Sequence, residues 1–131
     1  MDDDSGCRIG LSLPSESRYI RLARLMASGL ATSCGLPLEE VEDFRIAIDE
    51  LCSVLIELSD GDAVRLAFEL ADDALVVVGT TTAAPGGVLD DERLRLSRQI
   101  LGVVTDDHGM RRCGDTVCFT ARERLRGRGV G

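Results

Sequence analysis

The chain has no lysine, no asparagine and no tryptophan, a single histidine, and few aromatic residues. Each shortage removes a class of reading. With lysine missing, all 15 basic residues are arginine; 23 acidic residues outnumber them, and the net charge is −8. That balance disfavours nucleic acid as a direct partner, because phosphate binding needs clustered positive charge. It suits a partner that carries basic surface of its own. Long apolar runs are also missing. No stretch reaches the roughly 20 residues that a membrane-spanning helix needs, so no membrane partner is expected. The start, Met1-Asp2-Asp3-Asp4, is acidic where a secretory signal is basic. A cytoplasmic location is therefore expected. The one histidine, His108, lies close only to Cys113. The five cysteines, Cys7, Cys34, Cys52, Cys113 and Cys118, are odd in number and form no Cys-x-x-Cys pair. A zinc site or a disulfide framework is not expected. The thiols read as reduced, small hydrophobes.

What is present is enough for one domain over residues 1–131. Hydrophobic residues make up 44% of the chain, too many for a disordered one. Packing is expected over about residues 7–122, with an arginine- and glycine-rich tail, 123–131, that frays.

The segment Cys7–Leu13 alternates and stops at Pro14, which predicts a half-buried strand. Ser15 is placed to cap a helix over Glu16–Ser33, whose inward positions are Tyr19, Leu22, Ala23, Met26 and Leu30. Cys34-Gly35 should close it. A second helix starts with Pro37 in its first turn and carries Glu39, Glu40, Glu42 and Asp43 near its positive end. Val41, Phe44, Ile48, Leu51, Leu55 and Leu58 then recur at steps of three and four. Ala63–Leu70 and Ala74–Thr80 read as a hairpin, with Thr80–Gly87 a loop. Asp90–Val103 reads as a third helix, with Leu94, Ser97, Ile100 and Leu101 inward. A strand is expected to start within Val104–Asp107, with a turn at His108-Gly109-Met110 and a last strand over Thr116–Arg122. The order β-α-α-β-β-α-β-β predicts an α+β two-layer sandwich, a mixed or antiparallel sheet with helices on one face.

The segment Val41-Glu42-Asp43-Phe44-Arg45-Ile46-Ala47-Ile48-Asp49-Glu50-Leu51-Cys52 resembles the second-helix motif of the anti-sigma-factor serine kinases, a branch of the histidine-kinase-like (GHKL) ATPases. The early helix Ser17–Leu30 is similar to that family's first helix. Gly114-Asp115-Thr116-Val117-Cys118-Phe119-Thr120 is similar to its final "Gly-Thr-x-Val-x-Phe" strand. The resemblance covers nearly the whole chain and implies the Bergerat fold of that superfamily. It also implies a general base at Glu50, which in active relatives polarises the hydroxyl of a substrate serine. An asparagine four residues later coordinates magnesium in those relatives; here the position is Val54, which offers no oxygen to a hard cation. Their "Asp-x-Gly-x-Gly" aspartate, which reads adenine, has no counterpart in Val78–Gly87, where Thr80 or Thr81 could accept a single hydrogen bond. Their phosphate-cradling lid is replaced by Val88-Leu89-Asp90-Asp91-Glu92, whose carboxylates would repel a triphosphate.

The former nucleotide pocket then maps to Ala47, Glu50, Val54, Thr80 and Thr116, with Glu50 a vestigial base. Asp43, Ala47, Glu50, Val54 and Glu57 are expected on a face of the second helix turned away from the core. No cofactor and no metal are expected, ATP with magnesium included. The resemblance implies an anti-sigma factor that sequesters an alternative sigma factor and is released by an anti-anti-sigma protein; members often dimerise, so a homodimer is among the implied assemblies. Arg18, Arg21 and Arg24, at steps of three, are candidate partner contacts or a solvated face. Two other readings stay open: a divergent serine-protein kinase using Glu50, and a binding module that uses the old groove for another ligand or partner.

Overall fold

The computed structural model describes residues 8–71 and 73–125. Five strands and three helices follow in the order β1 (Arg8–Leu13), α1 (Ile20–Ser33), α2 (Leu38–Leu58), β2 (Val64–Ala71), β3 (Ala74–Thr82), α3 (Asp91–Val104), β4 (Asp107–Cys113) and β5 (Thr116–Arg124). The strands form one sheet in the order β1-β2-β3-β5-β4. Every pairing is antiparallel, which settles the choice between a mixed and an antiparallel sheet. One face of the sheet carries the helices. On β3 the residues Leu75, Val77 and Thr81 are buried against them, while Val76, Val78 and Thr80 point to the other, half-exposed face. This is the two-residue alternation of a sheet with one covered face.

The central helix is α2. Its row of Val41, Phe44, Ile48, Leu51, Leu55 and Leu58 is buried as expected, and Phe44 meets Phe68 of β2 edge to face, with centroids 6.3 Å apart. It lies close against the sheet at Gly79 of β3. A Cβ built there would lie 2.5 Å from Leu51 Cδ2 and 2.7 Å from Leu55 Cδ1. The C-terminal end of α2 is stitched to the end of β3. Asp60 donates its amide to Thr82 O, Ala84 to Leu58 O, and the buried Thr81 hydroxyl bonds Ser59 Oγ and Ala63 O. These bonds carry β3 on to Thr82, through part of the expected loop.

Several expectations are corrected. Ser15 does not cap α1. A 3₁₀ turn at Ser17–Tyr19 comes first, its entry held by Glu16 N–H to Pro14 O and Tyr19 N–H to Glu16 O, so the α-helix starts only at Ile20. The row that α1 buries most deeply is Ile20, Ala23, Ala27 and Ala31, and Leu22 is exposed. Small side chains let α1 lie close to α2. Pro37 precedes the first turn of α2 as its N-cap. His108-Gly109-Met110 is not a turn but the start of β4. The reversal falls at Gly114-Asp115, where Gly114 adopts φ +61, a value that glycine takes without strain. Ordered packing also continues past residue 122: Glu123 and Leu125 are buried, and Leu125 N–H bonds Asp73 O. Cys7 and the rest of the expected tail, residues 126–131, lie outside the described residues.

Two terminations follow the sequence signals. Gly35, at φ +86, ends α1 with its N–H on Thr32 O and that of Leu36 on Ala31 O, closing the helix with a Schellman pair. Asp90 caps α3 by accepting from Arg93 N–H at 2.7 Å.

Candidate functional site

The side chains of Ala47, Glu50, Val54 and Glu57 rise from successive turns of α2 on the flank that meets α3. That flank is not turned away from the core. Ala47 and Val54 are fully buried, because α3 lies along it and buries Ser97 and Leu101 in the same layer. Arg93, one turn before Ser97 on α3, reaches back across the gap. Its Nη1 meets Glu50 Oε2 at 2.5 Å and its Nε meets Glu57 Oε1 at 3.4 Å. Only 12% of the Glu50 side chain and 22% of that of Arg93 remain accessible.

The pair is electrostatically matched. The hydrogen bond to Glu50 comes first among the influences that raise the Arg93 pKa above its ordinary value; burial opposes it, and the charges of Glu50 and Glu57 add to it. The guanidinium takes up one of the carboxylate's two oxygens and draws the group toward α3. The sequence reading missed Arg93. Its signal was the spacing Arg93, Ser97, Leu101, which puts an arginine on the buried row of α3.

The remaining members of the expected pocket are not gathered here. Thr80 and Thr116 both project from the face of the sheet opposite α2: Thr80 pairs with Cys118, Thr116 pairs with Thr82, and Thr116 is exposed. Strand alternation places the whole sheet between them and Glu50. The hydroxyl that does face the helices is that of Thr81, and it is spent on Ser59 and Ala63. Asp90, Asp91 and Glu92 form the cap and first turn of α3.

Of the three arginines on α1 and its approach, Arg21 is exposed. Arg18 pairs with Glu16 at 3.1 Å and stacks over the Tyr19 ring at 5.0 Å. Arg24 crosses to α2 and bonds Asp49 at 2.6 Å. The row is therefore partly committed within the chain. Among the described residues no group of three His, Cys, Asp or Glu side chains is placed to hold a metal ion. No described helix is long and apolar enough to cross a membrane.

No family model matches the chain. Its sequence is similar to that of the serine-protein kinase RsbW of Halalkalibacterium halodurans, 28% identical over 74 residues that cover 55% of this chain and 46% of that protein. It is likewise similar to the serine-protein kinase RsbW of Bacillus velezensis, 29% identical over 104 residues, 76% of this chain and 61% of that protein. The chain thus spans about half the length of the first of these relatives. In fold it is similar to a chain in the crystal structure of the SiaB-SiaC complex from Pseudomonas aeruginosa, with a TM-score of 0.62 at 13% identity, covering 88% of this chain and 89% of that one. The sequence relatives carry the name of a serine-protein kinase, RsbW, and the fold, shared with the SiaB-SiaC chain, is the α+β two-layer sandwich expected from the order of the elements.

Proposed function

We propose that this chain is a partner-switching regulator of transcription, which holds an alternative sigma factor and releases it when an anti-anti-sigma protein competes for the same domain, without phosphoryl transfer. Similarity to the RsbW proteins supports the regulatory half of this reading. The observation that carries the second half is the Arg93–Glu50 pair, with Ala47 and Val54 fully buried beside it. Magnesium-ATP does not fit these residues. The carboxylate that would serve as base is ion-paired to a guanidinium, the metal-ligand position is an alkyl side chain, and the flank of α2 that would face the nucleotide is packed against α3.

The test is titration of the purified chain with the alternative sigma factors of its host, followed by addition of the anti-anti-sigma protein. Saturable sigma binding that the second protein reverses with no nucleotide present is the expected outcome. Failure to bind any of them sinks the proposal. The name carried by the relatives favours a second reading, a serine-protein kinase using Glu50. Incubation of the chain and the anti-anti-sigma protein with labelled ATP and magnesium separates the two: serine phosphorylation that is lost in Glu50→Ala supports the kinase, and absence of phosphorylation supports the competitive switch.

A further inference from the structure

The helix layer stops short of one edge of the sheet. β4 is the outer strand there. Its residues His108, Met110 and Arg112 stand opposite Ala121, Phe119 and Val117 of β5 and so point to the helix side. Those three β5 residues are buried, yet Met110 is 41% exposed. α3 roofs β5 and leaves an open shelf along β4.

Two clefts on this shelf share Leu94 and Met110. One, of about 260 Å³, is walled by Leu58, Val88, Leu89 and Val117 with Arg112 at its mouth. The other, of about 200 Å³, is bounded by Ser97, Phe119, Arg98 and His108. Among the described residues no aspartate or glutamate lines either one, in a chain that holds 23 acidic residues. Arg112 is fixed in place, with Nη1 on Gly87 O at 2.7 Å and Nε on Gly114 O at 3.3 Å. Arg111 stands exposed on the other face of the same strand. Val88, 75% exposed, adds an uncovered apolar surface.

The backbone of β4 completes the case. An edge strand offers alternate amides and carbonyls to any chain laid beside it, and β4 contains no proline to block one. A second copy of this strand, laid antiparallel in the register that opposes residues 111 and 112, would bring Arg111 and Arg112 against the same two arginines. Like charges facing each other disfavour that pairing, whereas carboxylates complement it.

We propose that the outer edge of β4 receives an extended, acidic segment of a partner protein as a sixth strand. An apolar side chain of that segment lies on the shelf against Met110, Leu94 and Val88. Carboxylates on either side of it meet Arg111 and Arg112. Main-chain bonds supply the affinity, and the shelf and arginines supply the selection. This surface is distinct from the Arg93–Glu50 pair.

The probe is a short capped peptide with a central leucine flanked on each side by two glutamates and then by valine and threonine, titrated into the full chain. Saturable binding below about 1 mM is expected, together with slowed amide exchange across residues 107–113. The double variant Arg111→Glu/Arg112→Glu should weaken it about tenfold or more, as loss and reversal of charge at a complementary surface does; Arg111→Glu alone, which leaves the Arg112 bonds to Gly87 and Gly114 in place, should weaken it several-fold with an unchanged thermal midpoint. The same peptide N-methylated at the leucine and at all four glutamates should not bind. No saturable binding, binding indifferent to N-methylation, or protection located away from β4 would each overturn strand addition at this edge.

Discussion

At the scale of single residues, one buried group and one mostly buried group have consequences that can be measured. Cys52 is buried on α2, and burial pushes its thiol up from 9.0 to about 12, with the nearby Asp49 charge adding to the rise and Arg24 opposing it. Its proton is held more tightly in the folded chain than in the unfolded one. That contribution to stability is complete below about pH 9 and is lost as pH climbs towards 12. Urea unfolding across this range should therefore show a fall that is shallower in Cys52→Ala. At pH 8, mass spectrometry after brief alkylation should find Cys113, which is exposed, modified and Cys52 intact. The second group is Glu50. Arg93→Met removes its guanidinium and strands a mostly buried carboxylate, so a loss of about 3 kcal/mol is expected in chemical denaturation. Adding Glu50→Leu to that variant should restore much of the loss. The position of Glu50 on α2 was legible in the motif around it. Its partner was not, because Arg93 lies far along the chain and only packing of α3 on α2 brings them together. Thr80 and Thr116 were misplaced for a related reason: a shift of one residue along a strand changes the face, and Thr81 is the inward one.

At the scale of elements, legibility followed burial. The apolar row of α2 was plain because that helix is covered by the sheet on one side and by α1 and α3 on its flanks. β4 was hidden because almost nothing covers it. Its side chains are exposed or half-exposed on both faces, so the alternation that reveals a strand was never imposed on the sequence. The start of α1 was displaced because backbone bonds in the turn after Pro14 took the place of the expected serine cap. Contact between α2 and the sheet gives an element-scale prediction. Gly79→Ala places a methyl within 2.5 Å of Leu51 Cδ2. Both leucines at the contact are fully buried and have little room to turn, so overpacking by about 1–3 kcal/mol is expected. A lowered thermal midpoint with retained secondary structure would register it; an unchanged midpoint would show that α2 can lift off β3 freely.

At the scale of the molecule, the order β1-β2-β3-β5-β4 places β5 between β3 and the edge strand, with α3 and β4 intervening in the chain. Two-layer architecture and helix count were readable from periodicity, but this insertion was not, since nothing local specifies which strand a late segment joins. A chain cut after Asp115 would lose Val117, Phe119 and Ala121 from the core and leave β4 without its only strand partner among the described residues. No cooperative unfolding transition is expected from it by circular dichroism, whereas a cut after Leu125 should leave one. The same insertion has a consequence during synthesis. Of the five strands, β5 is the last to leave the ribosome, so the emerging chain must wait with the β-branched run Val76-Val77-Val78 exposed along an unpaired flank. Such a flank is open to wrong partners for as long as translation takes to reach it. Slow codons between β3 and β5 would then lower the yield of folded chain without altering one residue of the product.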